Sequence, residues 1–215
     1  MKSISPFMQT YEELPTSLPI FPLKGTVLLP RYNLPLNIFE PRYLGMVRDA
    51  MRTHQLIGMI QPNDDDSPPR LYQVGCVGRI TSYAETSDGR IEIVLSGICR
   101  FAVQEELASV RAHRIIVPDW HQYKEDFAPP SNASSQSQML FNTGLKGYFA
   151  ANNMQVDWSQ LEKLDFNTLV DSLVVQLPLP AEDKQLLLEA HSQQKRVTAF
   201  TAILEGCVGE SSTQH

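Results

Sequence analysis

Residues 18–51, LPIFPLKGTVLLPRYNLPLNIFEPRYLGMVRDAM, carry the strongest structural pattern in the chain. The first part consists of short apolar runs interrupted by prolines. This pattern excludes a long helix and is typical of brief strands near a sheet edge, where a missing N–H is tolerated. The pattern changes at Glu40, because Pro41 is preorganised for a first helical turn and a neighbouring carboxylate suits a helix N-terminus. Apolar residues then recur at helical spacing, which predicts one amphipathic helix over residues 40–53.

The residues that follow predict a lobe that is mostly β. Strands are expected over residues 56–60, 71–83, 90–103 and 110–117. Asp88-Gly89 lies between the second and third of these strands, and it is a strong hairpin signal because both residues tolerate positive φ in a tight turn. Pro118 is expected to close the last strand. We therefore expect a β lobe over residues 18–118 with one helix inserted early, preceded by a loose polar leader at 1–17.

A polar, proline-rich segment at residues 119–138 predicts a linker, and the apolar period becomes helical after it. Four helices are expected, with Pro180 in the first turn of the third and Gly206 as the C-terminal stop of the last. Gly144 and Gly147 lie inside the first helical pattern and are interpreted as small helix-packing residues. The predicted fold is thus α+β, with a helical bundle over 139–206 and a short tail at 207–215.

Composition and charge restrict the class of function. The 215-residue chain is 42% hydrophobic and has a net charge of −6, which is ordinary for a globular protein. An acidic chain is repelled by a phosphate backbone, so nucleic-acid binding would need a strong local basic patch, and no basic run is visible. The N-terminus lacks the apolar core of a signal peptide, and no stretch approaches the roughly 20 apolar residues that span a bilayer. With three cysteines and no CxxC pair, we expect a cytoplasmic protein that does not bind membranes.

Motifs for catalysis and cofactor binding are missing from the sequence. It contains no GxxxxGK[ST] phosphate loop, no HExxH zinc motif and no GxSxG nucleophile elbow. Asp64, Asp65 and Asp66 are consecutive, whereas a calcium loop places its carboxylates at alternate positions with a distal glutamate, so a solvated loop is the better interpretation. We predict no catalytic residue, no metal and no cofactor, and therefore no enzyme.

Three blocks of the sequence, taken in order, resemble the LON substrate-binding domain, the non-catalytic N-terminal domain of the Lon ATP-dependent protease. The first is residues 18–51 with LIGMIQP after it. The second is LYQVGCVGRITSYAETSDGRIEIVLSGICRFAV at 71–103, and the third is LVDSLVVQLPLPAEDKQLLLEA at 169–190. The resemblance covers about residues 18–206. It implies a PUA-like β-barrel or pseudobarrel followed by a helical bundle, without the ATPase and Ser-Lys protease domains of the full-length protease.

The same resemblance implies recognition of unfolded or tagged protein segments. Our leading hypothesis is therefore a non-catalytic module that binds unfolded or extended polypeptide, alone or as an adaptor for a separate protease. The candidate peptide-binding residues form an apolar segment near a predicted sheet edge, where a peptide strand could be added. They are Leu28, Leu29, Pro30, Tyr32 and Leu34. The structural alternative is that these residues line the barrel or the interface between the lobes.

Two further groups of residues have competing interpretations. In the family motif Phe39-Glu40-Pro41-Arg42-Tyr43, aromatic and polar groups could hold an extended peptide. The structural alternative is that Glu40 and Pro41 start the helix, Tyr43 joins the core and Arg42 pairs locally. Since PUA-like folds can bind RNA, the alternative function is an RNA-binding module that uses the strand arginines. These are Arg79, Arg90, Arg100, Arg111 and Arg114. A third hypothesis is a small-molecule site between the lobes, for which the sequence supplies no ligand-specific residue.

Overall fold

The computed structural model describes residues 10–161 and 163–211, and the chain divides into two compact units, Met1–Pro129 and Pro130–His215. Residues 1–9 of the predicted leader and 212–215 of the predicted tail lie outside the described residues. The first unit combines a sheet with one helix and the second is helical, so the α+β prediction is confirmed.

The first unit is built on a mixed six-stranded sheet. Its strands are β1 (Leu18–Pro22), β2 (Asn33–Ile38), β3 (Leu56–Ile60), β4 (Val74–Glu85), β5 (Ile91–Leu107) and β6 (Ile115–Asp119). The strand order is β2-β5-β4-β3-β1-β6, and β5 also pairs with β6. The 17-residue β5 makes this possible, because it pairs with β2 along its first part and with β6 along its last part. The pairings β5-β4-β3-β1-β6 therefore return to β5, and β2 is attached beside them.

Helix α1 (Pro41–Met51) connects β2 to β3 and confirms the predicted helix. Pro41 occupies the first turn and Glu40 is the N-cap residue, as expected from a preorganised φ followed by apolar residues at helical spacing. Residues 56–60 form a strand that is buried throughout, as predicted.

Glycines in β4 leave room for large core side chains. A Cβ on Gly75 would lie 2.4 Å from Cζ of Phe101, and one on Gly78 would lie 2.7 Å from Cδ2 of Leu28. Phe101 is fully buried, and it packs in a cluster with Leu18 and other strand residues. The apolar-Gly pattern of β4 thus lets bulky side chains lie directly against the backbone of the sheet.

Two predictions in this unit need correction. The β4–β5 hairpin is confirmed, but its turn is longer than two residues: Gly89 N donates to Thr86 O, and only Gly89 has a positive φ, of 84°. This is a type I turn followed by a left-handed glycine rather than a turn with two left-handed residues. The strand predicted over 110–117 begins only at Ile115, because the preceding residues form a loop in which Arg111 binds Asp49.

The predicted linker at 119–138 also differs from the structure. Strand β6 ends at Asp119, a 3₁₀ helix covers His121–Phe127, and helix α2 begins at Ser135. Trp120 packs edge-on against Phe101 with ring centroids 5.9 Å apart, which ties this segment to the core of the first unit. The sequence does not show that this segment belongs to the first unit, because its aromatic residues are spaced singly among polar ones. Within the predicted leader Tyr11–Glu13 form a 3₁₀ helix, and Trp120 Nε1 donates to the carbonyl of Pro15.

The second unit contains five helices among residues 130–161 and 163–211. They are α2 (Ser135–Ala151), α3 (Trp158–Leu161), α4 (Phe166–Gln176), α5 (Ala181–Glu189) and α6 (Gln193–Ser211). Gly144 of α2 is buried and faces α6, where a Cβ would meet Leu204 at 3.7 Å, so its predicted packing role is confirmed. Pro180 is the N-cap of α5 rather than a first-turn residue.

The prediction for Gly206 is wrong: helix α6 continues through it to Ser211, and Gly206 lacks the positive φ of a helix stop. A glycine near the end of an apolar stripe does not stop a helix unless the chain turns there. No helix within the described ranges is long and apolar enough to cross a membrane.

Candidate peptide-binding surface

The segment predicted to bind peptide is largely buried in the first unit. Leu28 and Leu29 are fully buried, Pro30 and Leu34 are buried, and Tyr32 is half-buried. These side chains are therefore not displayed to a ligand, and their placement corresponds to the structural alternative. The interior position follows from the glycines opposite, which let Leu28 approach Gly78.

A tight turn holds this segment against β5. Tyr32 N donates to Leu29 O, and Arg31 adopts a φ of 69°, a conformation that favours glycine. Arg31 Nη2 donates to the carbonyl of Asp126 at 2.8 Å and also to that of Ala128, so its side chain fixes the end of the 3₁₀ helix. The backbone of Gly97 is bonded on both sides, to Arg31 N and to Tyr32 O, each at 2.8 Å. These hydrogen bonds hold the segment in place against β5, so its role is structural.

In the family motif at residues 39–43, some side chains pack or pair within the first unit and one is exposed to solvent. Arg42 pairs with Glu40 at 2.8 Å and lies 4.5 Å from the centroid of the Tyr43 ring. Tyr43 is buried against Phe21, with ring centroids 4.2 Å apart, and burial raises the pKa of its hydroxyl. Phe39 differs from its neighbours, because 64% of its surface is exposed. It is the one member of the motif that presents a large apolar group to solvent.

Strand β2, which ends beside Phe39, has one unpaired edge. Within the described part of the chain β2 pairs with β5 alone. Because Gly97 N donates to Tyr32 O, the carbonyl of Tyr32 points towards β5. Alternation along a regular strand then directs the backbone groups of Asn33, Pro35 and Asn37 away from β5, to the free edge.

The free edge of β2 has a distinctive pattern of hydrogen-bonding groups. By this alternation three carbonyls, those of Asn33, Pro35 and Asn37, face the edge where no described strand pairs with β2, whereas Pro35 supplies no N–H. A proline at the centre of an edge strand weakens continuous pairing with another sheet, which protects against self-association. A single extended segment can still bond on either side of it.

A shallow concavity of about 430 Å³ lies on the exposed face of the sheet beside this edge. It is lined by residues of β2, β4 and β5, namely Pro35, Leu36, Asn37, Ser82, Ala84, Glu92, Ile93 and Val94. Cross-strand register brings Asn37 opposite Glu92 and Pro35 opposite Val94. We define the β2 edge surface as this concavity together with Phe39. Its small central side chains leave space for an extended backbone, and Phe39 supplies an apolar anchor.

The arginines proposed for RNA binding do not form a basic face. Each has a partner: Arg79 with Gln55, Arg90 with Asp88, Arg100 with Asp126, Arg111 with Asp49 and Arg114 with Glu106. Arg100 is also buried. Four of the five pair with an acidic group, which offsets the positive potential that phosphate contacts need, and the partner of Arg79 is a neutral amide.

A second concavity, of about 220 Å³, lies in the helical unit between α2, α3 and α4. We call it the α2–α4 cleft. Its walls are apolar and its rim is polar, and its lining residues are Asn142, Leu145, Lys146, Trp158, Leu161, Leu164, Phe166 and Leu169. Two edge-on aromatic contacts hold the walls: Trp158 against Phe149 at 5.7 Å and Phe166 against Phe141 at 5.6 Å.

The aspartates at 64–66 are engaged locally rather than gathered into a metal site. Asp64 pairs with Arg70, whose guanidinium holds the pKa of that carboxyl below its usual range, and Asp65 pairs with Lys24. Among residues 10–161 and 163–211 no group of three or more His, Cys, Asp or Glu side chains could hold a metal ion.

Sequence reasoning missed the residues that form both concavities. The sequence did not predict a site at Asn37, Glu92 and Val94. A polar-apolar alternation shows that one face of a strand is exposed, but it does not show which strand lies at the sheet edge. Trp158 was passed over because α3 is only four residues long. The one sequence signal for this surface was the position of Phe39, directly after an alternating strand.

Comparison with known proteins agrees with this architecture. Residues 17–206 match the family described as the ATP-dependent protease La (LON) substrate-binding domain. The Lon protease of Flavobacterium johnsoniae is 35% identical over 98 residues, which cover 44% of this chain and 12% of that protein. The Lon protease of Cytophaga hutchinsonii is 24% identical over 208 residues, covering 90% of this chain and 24% of that protein. The chain thus spans about a quarter or less of the length of these relatives.

A solved structure covers nearly the same extent. The Lon N-terminal domain protein from Xanthomonas campestris has a TM-score of 0.64 and 25% sequence identity, and the match covers 87% of this chain and 98% of that one.

Proposed function

The chain belongs to the LON substrate-binding domain family, and from this membership we propose that it is a recognition module for unfolded or extended polypeptide. The observation that carries the proposal is the β2 edge surface. β-strand addition requires main-chain hydrogen bonds for affinity and apolar contacts for alternate side chains. The carbonyls at the free edge of β2 can supply the hydrogen bonds, and the concavity and Phe39 can supply the apolar contacts.

The proposal assigns no chemistry to the chain. The matched family is a substrate-binding domain, and we propose that the chain binds polypeptide without cleaving it and without hydrolysing ATP. We also propose that it works in the cytoplasm, alone or as an adaptor that presents clients to a separate protease, and that the ring of paired strands is a PUA-like barrel. No observation favours the RNA alternative, because the arginines that it needs are paired.

The test is a binding titration with a permanently unfolded protein, reduced, alkylated and fluorescently labelled. We expect anisotropy to rise on addition of the chain, and the affinity to change little with salt because the surface is mainly apolar and main-chain in character. Absence of binding to every denatured protein tried would overturn the proposal.

Two variants test whether the unfolded protein binds at the β2 edge surface. Asn37→Pro removes an outward N–H and leaves the bonds to β5 intact, and Phe39→Ser removes the apolar anchor. Each should weaken binding about 5- to 10-fold, as loss of a central interface contact does. Val110→Ser is the matched control, because Val110 is fully exposed but lies in the loop before β6. Equal weakening by all three variants would locate the binding elsewhere.

A further inference from the structure

The α2–α4 cleft combines an apolar interior with two polar side chains on one side of its mouth. Asn142 and Lys146 are four residues apart on α2, so both lie on the same face of that helix. Both side chains are exposed at the rim, and Lys146 Nζ lies 5.7 Å from the centroid of the Trp158 ring. Within residues 10–161 and 163–211, Lys146 forms no ion pair and the Asn142 amide forms no hydrogen bond. The rim therefore offers an ammonium and an amide donor to an anionic group.

Two acidic side chains that flank lining residues in the sequence, Asp157 and Asp165, form local hydrogen bonds. Asp157 accepts hydrogen bonds from Ser159, and Asp165 accepts from Thr168 at the N-terminus of α4. Neither lines the cleft. Among the described residues that line the cleft, Lys146 carries the only charge, although the chain as a whole is acidic.

The size of the cleft limits its occupant. A volume of about 220 Å³ lies below the roughly 300–1,000 Å³ of small-molecule and cofactor pockets and suits one large apolar side chain. Trp158 and Phe166 form two of the walls, which favours an aromatic or large aliphatic group. The occupant must therefore bring one such side chain and an anion close to it.

We propose that the α2–α4 cleft binds the C-terminal residue of a polypeptide, the cleft taking an aromatic or large aliphatic last side chain and Lys146 and Asn142 taking the terminal α-carboxylate. The α-carboxylate is attached to the same carbon as the side chain, so both reach one small site together. The carboxylate of a neighbouring Asp or Glu is a poorer fit, because successive side chains of an extended segment point to opposite faces. This site is separate from the β2 edge surface and adds a preference for free chain ends.

The test compares two peptides with the full-length chain. Both are labelled at the N-terminus and end in phenylalanine, one with a free carboxylate and one with a carboxamide. We expect the carboxamide to bind about 3- to 10-fold more weakly, the effect of losing one charge-assisted contact. Lys146→Met should weaken binding of the free carboxylate by the same factor and leave the carboxamide unchanged. Lys195→Met, which removes an exposed lysine on α6, is the matched control.

Several outcomes would overturn the inference: equal binding of the two peptides, no effect of Lys146→Met, or equally tight binding of an internal Glu-Phe sequence with a blocked end. N-acetylphenylalanine carries both the last side chain and the carboxylate, so it should compete with the free-carboxylate peptide, and absence of competition would count against the assignment. An unfolded protein with a blocked C-terminus should still bind through the β2 edge surface. Failure at the cleft is thus distinguishable from failure of the proposed function.

Discussion

The guanidinium of Arg100 forms a two-point ion pair with the carboxylate of Asp126, through Nη2 at 2.7 Å and Nε at 2.9 Å. Both side chains are more than nine-tenths buried, and Asp126 also accepts the backbone N–H of Arg100. The pair joins β5 to the 3₁₀ helix at His121–Phe127, and the Tyr123 ring lies 4.9 Å from the guanidinium.

Asp126→Asn should destabilise the chain by about 3–5 kcal/mol, because it leaves the Arg100 charge buried without a counter-charge. Chemical denaturation measures this as a fall in the free energy of unfolding. Asp65→Asn is the matched control: its partner Lys24 is exposed, and such pairs contribute little. Similar losses in the two variants would show that the Arg100–Asp126 pair is no stronger than a surface pair.

Gly97→Ala should be among the most damaging glycine substitutions. The added Cβ would lie 2.0 Å from the carbonyl oxygen of Leu29, and the backbone of residue 97 cannot retreat because both its N–H and its C=O are bonded to the 31–32 turn. We expect a loss of about 3 kcal/mol or more in the free energy of unfolding. At Gly45 in α1 an alanine Cβ would meet no described atom within 4 Å apart from its chain neighbours and the backbone of its own helix, so Gly45→Ala should be stabilising, and a comparable loss there would contradict this explanation.

The start of α1 and the β4–β5 hairpin could be predicted because each depends on a few adjacent residues. Pro41 sets the first helical turn and Gly89 supplies the left-handed turn residue, whatever lies elsewhere in the chain. The interior position of Leu28 and Leu29 could not be predicted, because it depends on Gly78 and Gly97, which are more than 40 residues away in the sequence. Local patterns therefore predicted these two elements, whereas the burial of Leu28 and Leu29 depends on contacts that are distant in the sequence.

The candidate surface required knowledge of strand order. The edge position of β2 follows from β5 being long enough to pair with both β2 and β6, and no local pattern encodes that arrangement. The same holds for the α2–α4 cleft, whose walls come from three helices. Asp126 was also missed, because a single aspartate in a polar segment carries no sign of a buried partner.

His113 should make the stability of the first unit sensitive to mild acid. It is buried, and among the described residues its Nε2 has no hydrogen-bond partner. Burial lowers the pKa of the imidazole, an effect that Asp49 opposes and Arg111 reinforces. The folded-state pKa thus lies below the unfolded value of about 6.5. Stability is unaffected above that value, and it decreases as the pH falls towards the folded-state pKa, because the unfolded chain binds the proton first.

The test for His113 compares free energies of unfolding at pH 7.5, 6.5 and 5.5. His113→Leu should reduce the decrease in stability over this range, whereas His121→Leu should preserve it because His121 is exposed. Identical pH dependence in the original chain and His113→Leu would show that another group is responsible.

Substitutions of Gly144 and Gly206 separate packing from helix propensity in the second unit. An alanine Cβ at Gly144 would meet atoms of α6 at 3.7–3.8 Å, which is ordinary van der Waals contact, so Gly144→Ala should stabilise by about 0.5–1 kcal/mol. Gly144→Leu extends further towards Leu204 and should destabilise by about 1–3 kcal/mol through overpacking. Gly206→Ala should also be stabilising, because α6 runs through that position and no described atom lies within 4 Å of the added Cβ. Thermal unfolding of the three variants measures whether each substitution stabilises or destabilises the chain. A destabilising Gly206→Ala would instead indicate the left-handed helix stop that the sequence pattern predicted, since alanine is strained at positive φ.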